Sequence, residues 1–232
     1  MGHSQDLSGA VAAVWLGGFI SPPHLPAVAI VSLADHALNS VQRLAPTDRD
    51  LHDRGSRTGD GAHRFLQRRA LLRHWIGLCL GLPADGIVVG HDASGRPELV
   101  RPGGDLFLSV SGRGDWAAFG LARQPIGIDA EPLEGGPIAP SVLTTREQGR
   151  MRGLAAAEQA EAFLRIWTIK EAYLKALGTG LDQDPALLEV TDVGDRARIA
   201  VAETGKHLGN AHLRLVEMGG RRFVIAAVVL PP

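Results

Sequence analysis

A single cysteine stands in 232 residues. No intrachain disulfide is possible, and the zinc frameworks that need several thiolates are ruled out with it. Cys79 lies in a helical apolar pattern and reads as a buried thiol, which fits a reducing, cytoplasmic setting. A charge surplus is missing too: 24 Lys and Arg face 25 Asp and Glu, for a net charge of -1. General nucleic-acid binders carry a basic excess, so the balance argues against that class, although a local basic cluster can still hold a small anion. No apolar run approaches the roughly 20 residues needed to cross a bilayer. No basic stretch precedes the apolar residues 9–20, as a targeting segment requires. The phosphate loop Gly-x-x-x-x-Gly-Lys-[Ser/Thr] does not occur, and no Gly-x-Gly-x-x-Gly follows a strand. H-E-x-x-H is absent among nine histidines, and neither Ser109 nor Ser111 sits in G-x-S-x-G.

What is present suffices for a packed protein. Hydrophobic residues make up 45% and charged residues 21%, a composition of folded rather than disordered chains. The length suits one large domain or two of roughly 100–120 residues. Val11–Leu16 reads as a strand, Val28–Leu44 is of undecided type, and Thr47–Gly61 is a polar surface segment. Phe65, Leu72, Ile76 and Cys79 share one face of a helix over His63–Leu80. Ile87–Val89 reads as a strand. Leu106–Val110 and Trp116–Ala122 form a hairpin with a longer loop at Ser111–Asp115. Ile126–Ala130 is a strand, and Thr145–Ala156 and Glu158–Leu177 are helices. Four strand runs follow, at Leu187–Val190, Ala197–Val201, Ala211–Val216 and Arg222–Val229. Trp75, Trp116, Trp167 and Tyr173 fall at core spacings. The order strand, long helix, strands occurs twice, with a boundary near Arg123–Pro125. The fold class is α+β: two similar halves, 1–125 and 126–232, each a long helix packed on a small antiparallel sheet.

Charged residues in awkward places carry the chemistry. Asp129 and Glu131 alternate along a strand and project from one face. Side by side they repel unless a cation intervenes, and carboxylate oxygens suit a hard divalent ion. The plain alternative is a strand end with two solvated acids. On the second long helix Lys170 falls within the stripe of Phe163, Ile166, Trp167, Leu174 and Leu177, so it either snorkels or meets a buried partner. Glu171 and Lys175 lie four apart on its flank, a spacing that also suits an ordinary surface ion pair. On the first long helix Arg69 falls inside the stripe, with Arg73 a turn later and Arg64 and Arg68 on the other side. An inward arginine needs a carboxylate or a phosphate. Either a structural bridge, to Glu98 or Asp105, or a bound anion satisfies Arg69. Three carboxylates, several helix cations and Arg96 in a turn make the inventory that a diphosphate with a metal demands.

The same residues resemble the Sfp-type 4′-phosphopantetheinyl transferases. Gly95-Arg96-Pro97 is similar to that family's Gly-Lys-Pro. Phe107–Gly112 is similar to its Asn-x-Ser-His-Ser-Gly, and Pro125–Glu131 to its Pro-x-Gly-Ile-Asp-x-Glu. Trp167–Leu181 is similar to its W-x-x-K-E-[AS]-x-x-K-x-x-G-x-G-L. The likeness runs from about Arg43 to Leu181. It implies a monomer of two pseudo-twofold halves with coenzyme A in the cleft, the first half on the adenosine and 3′-phosphate side and the second carrying the metal and the catalytic residues. Asp129, Glu131 and Glu171 are then ligands of Mg²⁺ (or Mn²⁺). Lys175 contacts the diphosphate and Lys170 supports the site. Glu171 or Glu131 is the base. Arg96 and Ser109 face the 3′-phosphate and adenosine, with Arg64 and Arg69 nearby. The segment Leu133–Gly153 helps to dock an apo acyl or peptidyl carrier protein, whose serine receives the phosphopantetheine arm. One position departs from the pattern: Val110 stands where the family has the histidine of Ser-His-Ser, and valine donates no hydrogen bond. A diverged paralogue that binds coenzyme A or a carrier with weak or no transfer is the alternative. An α+β structural domain whose charges only pair with each other ranks last.

Overall fold

The computed structural model describes residues 11–13, 25–35, 41, 43–134, 139–179, 183–191 and 194–231. The chain divides into two compact units, 1–123 and 124–232. Their elements are α+β throughout, with every strand pair antiparallel. Among the described residues no helix is long and apolar enough to cross a membrane.

The first unit contains β1 (Val11–Ala13), β2 (Ala27–Ser32), α1 (Asp48–Arg54), α2 (Gly59–Leu80), β3 (Val88–His91), β4 (Pro97–Arg101), β5 (Phe107–Arg113) and β6 (Trp116–Ala122). One sheet has the order β1-β2-β6-β5, and β3-β4 forms a separate ribbon. Helix α2 lays Leu71, Leu72, Trp75 and Ile76 on Ala29, Val31, Phe119 and Leu121 of the sheet. The Trp75 and Phe119 rings lie 5.8 Å apart. Cys79 packs against this core, and burial pushes its thiol up to about 12, too high for a reactive thiolate.

Three sequence expectations change here. The strand expected at Val11–Leu16 is seen over Val11–Ala13, and its remainder lies outside the described residues. The hairpin turn has two residues rather than five, because Ser111, Gly112 and Arg113 stay paired with Ala118, Ala117 and Trp116. Its Gly114 takes φ +60°, where a side chain costs energy. Most consequential is Thr47–Gly61, expected as a surface segment. It contains α1, closed by a capping box in which the Thr47 hydroxyl accepts from the Asp50 N–H while the Asp50 carboxylate accepts from the Thr47 N–H. Asp50 is fully buried, because it faces Arg73 of α2 at 3.2 Å.

The second unit contains β7 (Ile126–Pro132), α3 (Thr145–Met151), α4 (Ala156–Leu177), β8 (Leu188–Thr191), β9 (Arg196–Val201), β10 (His207–Met218) and β11 (Arg221–Val229). The sheet order is β7-β11-β10-β9-β8. The helix expected over Thr145–Ala156 stops at Met151, and a second start follows, where the Glu158 carboxylate accepts the Ala155 N–H at 3.0 Å. Helix α4 packs Phe163, Ile166, Ile169, Tyr173 and Leu174 with Val224, Ala226 and Val228 of β11. It ends at Gly178 in the left-handed region, φ 78°, a common helix stop.

Where α4 crosses β7 the two backbones nearly touch. A Cβ on Gly127 would fall 1.8 Å from the Ala172 carbonyl oxygen and 2.4 Å from the Ala176 nitrogen. Ala172 and Ala176 are themselves buried and small. No rotamer relieves a backbone clash, so any side chain at 127 drives the helix off the strand. Gly127→Ala is therefore expected to destabilise the protein at or beyond the upper end of roughly 1–3 kcal/mol, measured by urea denaturation. Wild-type stability in that variant would show that the crossing can yield.

Candidate active site

Gly127, Asp129 and Glu131 alternate along β7 and so share the face that Gly127 turns toward α4. Asp129 is 3% exposed, and its Oδ1 accepts from Lys175 Nζ of α4 at 2.6 Å. One turn earlier on α4, Glu171 Oε1 is buried with no hydrogen-bond partner among the described residues. Burial raises the Glu171 pKa, the neighbouring Asp129 raises it further, and Lys175 pulls it back. The strand and helix thus bring together Asp129, Glu171 and Lys175. Two carboxylates share one lysine, and a buried anionic oxygen lacks a donor. Such an oxygen is costly unless a cation or proton meets it, so the donor set fits a hard divalent ion. Glu131 shares the face but is not gathered with the other two: among the described residues no three acidic, His or Cys side chains form a preformed metal cluster.

Lys170 stands apart from this group. It is fully buried, and its Nζ donates to Glu147 Oε2 at 2.6 Å and to the Val142 carbonyl at 2.8 Å. Burial lowers its pKa and the Glu147 charge opposes the drop. Glu147 also accepts from the Thr144 N–H and the Val190 N–H, both at 2.8 Å. The Thr144 hydroxyl donates to Glu189, which also accepts from Arg150. Lysine and network together fasten α3 to α4 and β8. The inward place of Lys170 demanded a buried partner, and Thr144-Thr145-Arg146-Glu147 carries it. That block also forms a capping box at the start of α3, a signal that was readable. The Gly180-Leu181 end of the Trp167–Leu181 block lies outside the described residues.

The residues expected to hold the coenzyme divide within the first unit. Arg69 and Val110 line one pocket of about 320 Å³ with Phe65, Arg68, His91 and Pro97. Arg64 lines another cavity with Asp60, His63 and Asp115. Ser109 is buried and, one residue from Val110 on β5, projects from the opposite sheet face. Arg96 sits in a turn held by Asp92, whose carboxylate accepts from the Ser94 and Arg96 N–H groups at 2.9 Å each. The partner of Arg69 is neither Glu98 nor Asp105 but Asp53 of α1, at 2.8 Å. Asp53 also meets Arg49 at 2.9 Å and His91 Nδ1 at 3.1 Å. Desolvation lowers the Arg69 pKa, and Asp53 opposes that. Asp53 escaped the sequence reading because the α1 segment, polar and glycine-flanked, offered no apolar stripe, and His91, at the end of β3, carries no local signal of its partner on α1.

Comparison with known proteins agrees with the resemblance carried by the motifs. Residues 125–228 match the sequence model of the 4′-phosphopantetheinyl transferase superfamily. A 4′-phosphopantetheinyl transferase of Bacillus subtilis is 30% identical over 125 residues, covering 53% of this chain and 55% of that protein. The transferase HetI of a Nostoc species is 35% identical over 126 residues, covering 51% and 53%. The transferase gsp of Aneurinibacillus migulanus is 28% identical over 122 residues, covering 52% and 50%. The chain thus spans about half the length of the curated relatives it matches. Among solved structures, a Bacillus anthracis holo-(acyl-carrier-protein) synthase in complex with CoA (3′,5′-ADP) is 26% identical over 46% of this chain and 94% of its own, with a TM-score of 0.31. That score is too low to establish a common fold.

Two outcomes follow from these contacts. Lys170→Met strands the buried Glu147 charge and is expected to cost roughly 3–5 kcal/mol. Adding Glu147→Gln should recover part of that loss in a double-mutant cycle read by urea denaturation, and strict additivity would refute the pairing. Glu171 has the opposite sign. Its folded pKa lies above the unfolded value of about 4.3, so folding disfavours the ionised form and stability falls as pH rises through that interval. In metal-free buffer at neutral pH, Glu171→Gln should raise stability by about 1 kcal/mol, a Tm gain of roughly 2–4 °C that vanishes below about pH 4. Added Mg²⁺ should raise the Tm of wild type and not of the variant. A Tm response to Mg²⁺ in both would remove Glu171 from the ligands.

Proposed function

We propose that this protein transfers the 4′-phosphopantetheine arm of coenzyme A to a serine of an acyl or peptidyl carrier protein, releasing adenosine 3′,5′-bisphosphate. The observation that carries this reading is the buried Glu171 oxygen beside Asp129 and Lys175, within the stretch that matches the transferase superfamily. The reading includes two halves built as variants of one unit, each with a 22-residue helix beside an antiparallel sheet, and a monomer working in the cytoplasm.

Asp129 and Glu171, with Glu131 from the same strand face, would hold Mg²⁺ or Mn²⁺, which supplies neutralisation of the diphosphate when bound. The carrier serine oxygen attacks the phosphorus that bears pantetheine, and the bond from that phosphorus to the bridging oxygen breaks. The serine proton passes to a carboxylate, Glu171 or Glu131. The raised pKa makes Glu171 a stronger proton acceptor than an ordinary carboxylate. Lys175 stabilises charge on the departing bisphosphate. Lys170 acts as a positioning residue through Glu147, which is too deep to meet a carrier. Carrier docking falls instead to the exposed part of Leu133–Gly153, where Arg150 borders a cavity of about 400 Å³ with Leu154, Glu158 and Glu161. Arg69 and Arg96 serve the adenosine and 3′-phosphate side, with Arg64 and Ser109 as more distant contributors. Val110 favours a second reading, a paralogue that binds coenzyme A or a carrier without transfer.

Incubation with Mg²⁺, coenzyme A and a panel of apo carriers should add one phosphopantetheine to a carrier, seen by intact mass. Glu171→Gln should slow this by about 10²-fold or more with the fold retained. Calorimetric binding of coenzyme A with no mass shift on any carrier would select the paralogue instead.

A further inference from the structure

The first unit's pocket holds more positive charge than its own residues neutralise. Asp53 is a single carboxylate. Arg49, Arg69 and His91 lie within hydrogen-bond distance of it, and Arg57 and Arg69 both stack on Phe65, at 4.9 and 5.2 Å from the ring centre. The pocket wall itself carries Arg68 and Arg69 and no carboxylate. Two guanidiniums against Asp53 leave a surplus of about one charge, which a protonated His91 would raise to about two, and a dianion matches that better than a simple carboxylate. The ionised Asp53 only accepts hydrogen bonds, so the His91 Nδ1 beside it carries the proton. Nε2 is then a lone pair until a second proton arrives. The ring is partly exposed in the wall of the pocket.

We propose that His91 is a specificity-determining residue that recognises a phosphate monoester in this pocket, held by Asp53 through Nδ1 and donating from Nε2 once protonated. The proposal rests on the coenzyme A reading and identifies the monoester as the 3′-phosphate. It also gives Val110 a context. Val110 lines the same pocket and has no donor to offer, so the imidazole comes from β3 rather than from β5. The groups that face His91 set its proton affinity. From α1 these are Asp53 and Arg49, whose guanidinium donates to the His91 carbonyl. From α2 they are Arg69, 3.5 Å from both ring nitrogens, and Arg68. Asp92 and Arg96 belong to the adjoining turn. Burial lowers the His91 pKa, Arg69 and Arg49 lower it further, and Asp53 opposes them. The empty pocket therefore keeps a neutral imidazole near pH 7, and a dianion that screens the arginines draws a proton onto it.

Calorimetry of the full chain with coenzyme A and with 3′-dephospho-coenzyme A, at about pH 6 and about pH 8, tests this. Wild type should prefer coenzyme A by about tenfold or more at the lower pH, with a smaller preference at the higher, and should take up a proton on binding, seen as buffer-dependent heat. The phosphate titrates near pH 6 as well, so the comparison is made with His91→Gln at each pH. That variant should lose most of the preference and the proton uptake while binding the dephospho compound as wild type does. If it keeps both, the inference is overturned and the coenzyme A reading stands. If wild type binds neither compound, both fall. If the variant does not fold, the wild-type imidazole titration followed by NMR decides. A midpoint raised by adenosine 3′,5′-bisphosphate supports the proposal, and an unmoved one overturns it.

Discussion

The missing side chain at Gly127 is the constraint on which the second unit's site depends. A helix normally stands off a sheet by the thickness of two side-chain layers. Here one layer is gone on the strand and reduced to alanine on the helix, so Ala172 and Ala176 lie against the strand backbone. Only at that separation does a lysine on α4 reach Asp129 at 2.6 Å and Glu171 feel the Asp129 charge. The glycine is thus a functional residue without chemistry of its own. Its closeness turns carboxylates on two separate elements into one electrostatic unit.

Inward charges occur in both units, and counting partners separates two kinds. Arg73 with Asp50 and Lys170 with Glu147 are close to balanced. Each cation meets one buried carboxylate and at least one backbone carbonyl, so the charges of each pair cancel, although Asp50 Oδ1 and Arg73 Nε stay without a hydrogen bond among the described residues. Such pairs hold a helix in register and are weak contributors to net stability. Asp53 and the Asp129–Glu171 group are different, because their charges do not cancel. The first is one carboxylate that meets two guanidiniums and an imidazole. The second sets two carboxylates against one lysine. Imbalance in a partly buried place is what a ligand of opposite charge can relieve, and the two imbalances have opposite signs.

Much of this was legible in the residues. Apolar periodicity located both long helices and the later strands, and the Gly-x-Asp-x-Glu alternation put its acids on the helix-facing side. The motif around Lys170 and Glu171 told of two charges at one place, yet adjacent helix residues point about 100° apart. One of them enters the core and the other faces the strand, so they serve different networks. What escaped the sequence was tertiary pairing. Helix α1 has seven residues and little apolar surface. It exists because Asp50 and Asp53 meet arginines on α2, and no local pattern announces a partner that is 16 or 23 residues away. The same limit explains why Arg64, Arg69 and Ser109, grouped by resemblance, occupy different surfaces: strand alternation and helix rotation disperse them.

The charge around Asp129 also says what the transferase reading requires of it. Asp129 and Glu171 face Lys175, so the sum of these three charges is negative whenever both acids are ionised. A diphosphate brought there would be repelled, and more strongly in a partly buried setting than in water. Lys175 alone cannot reverse the sign, since its ammonium is already engaged by Asp129. Two changes can. A proton on Glu171, which its environment favours, removes one negative charge but also removes a base. A divalent cation held by Asp129 and Glu171 would offset two negative charges and would leave Lys175 free to meet the substrate. The second change leaves the carboxylates ionised and the lysine available together, which phosphoryl transfer with a serine nucleophile needs. Under the transferase reading, a bound metal would free Lys175 as much as it would hold the diphosphate.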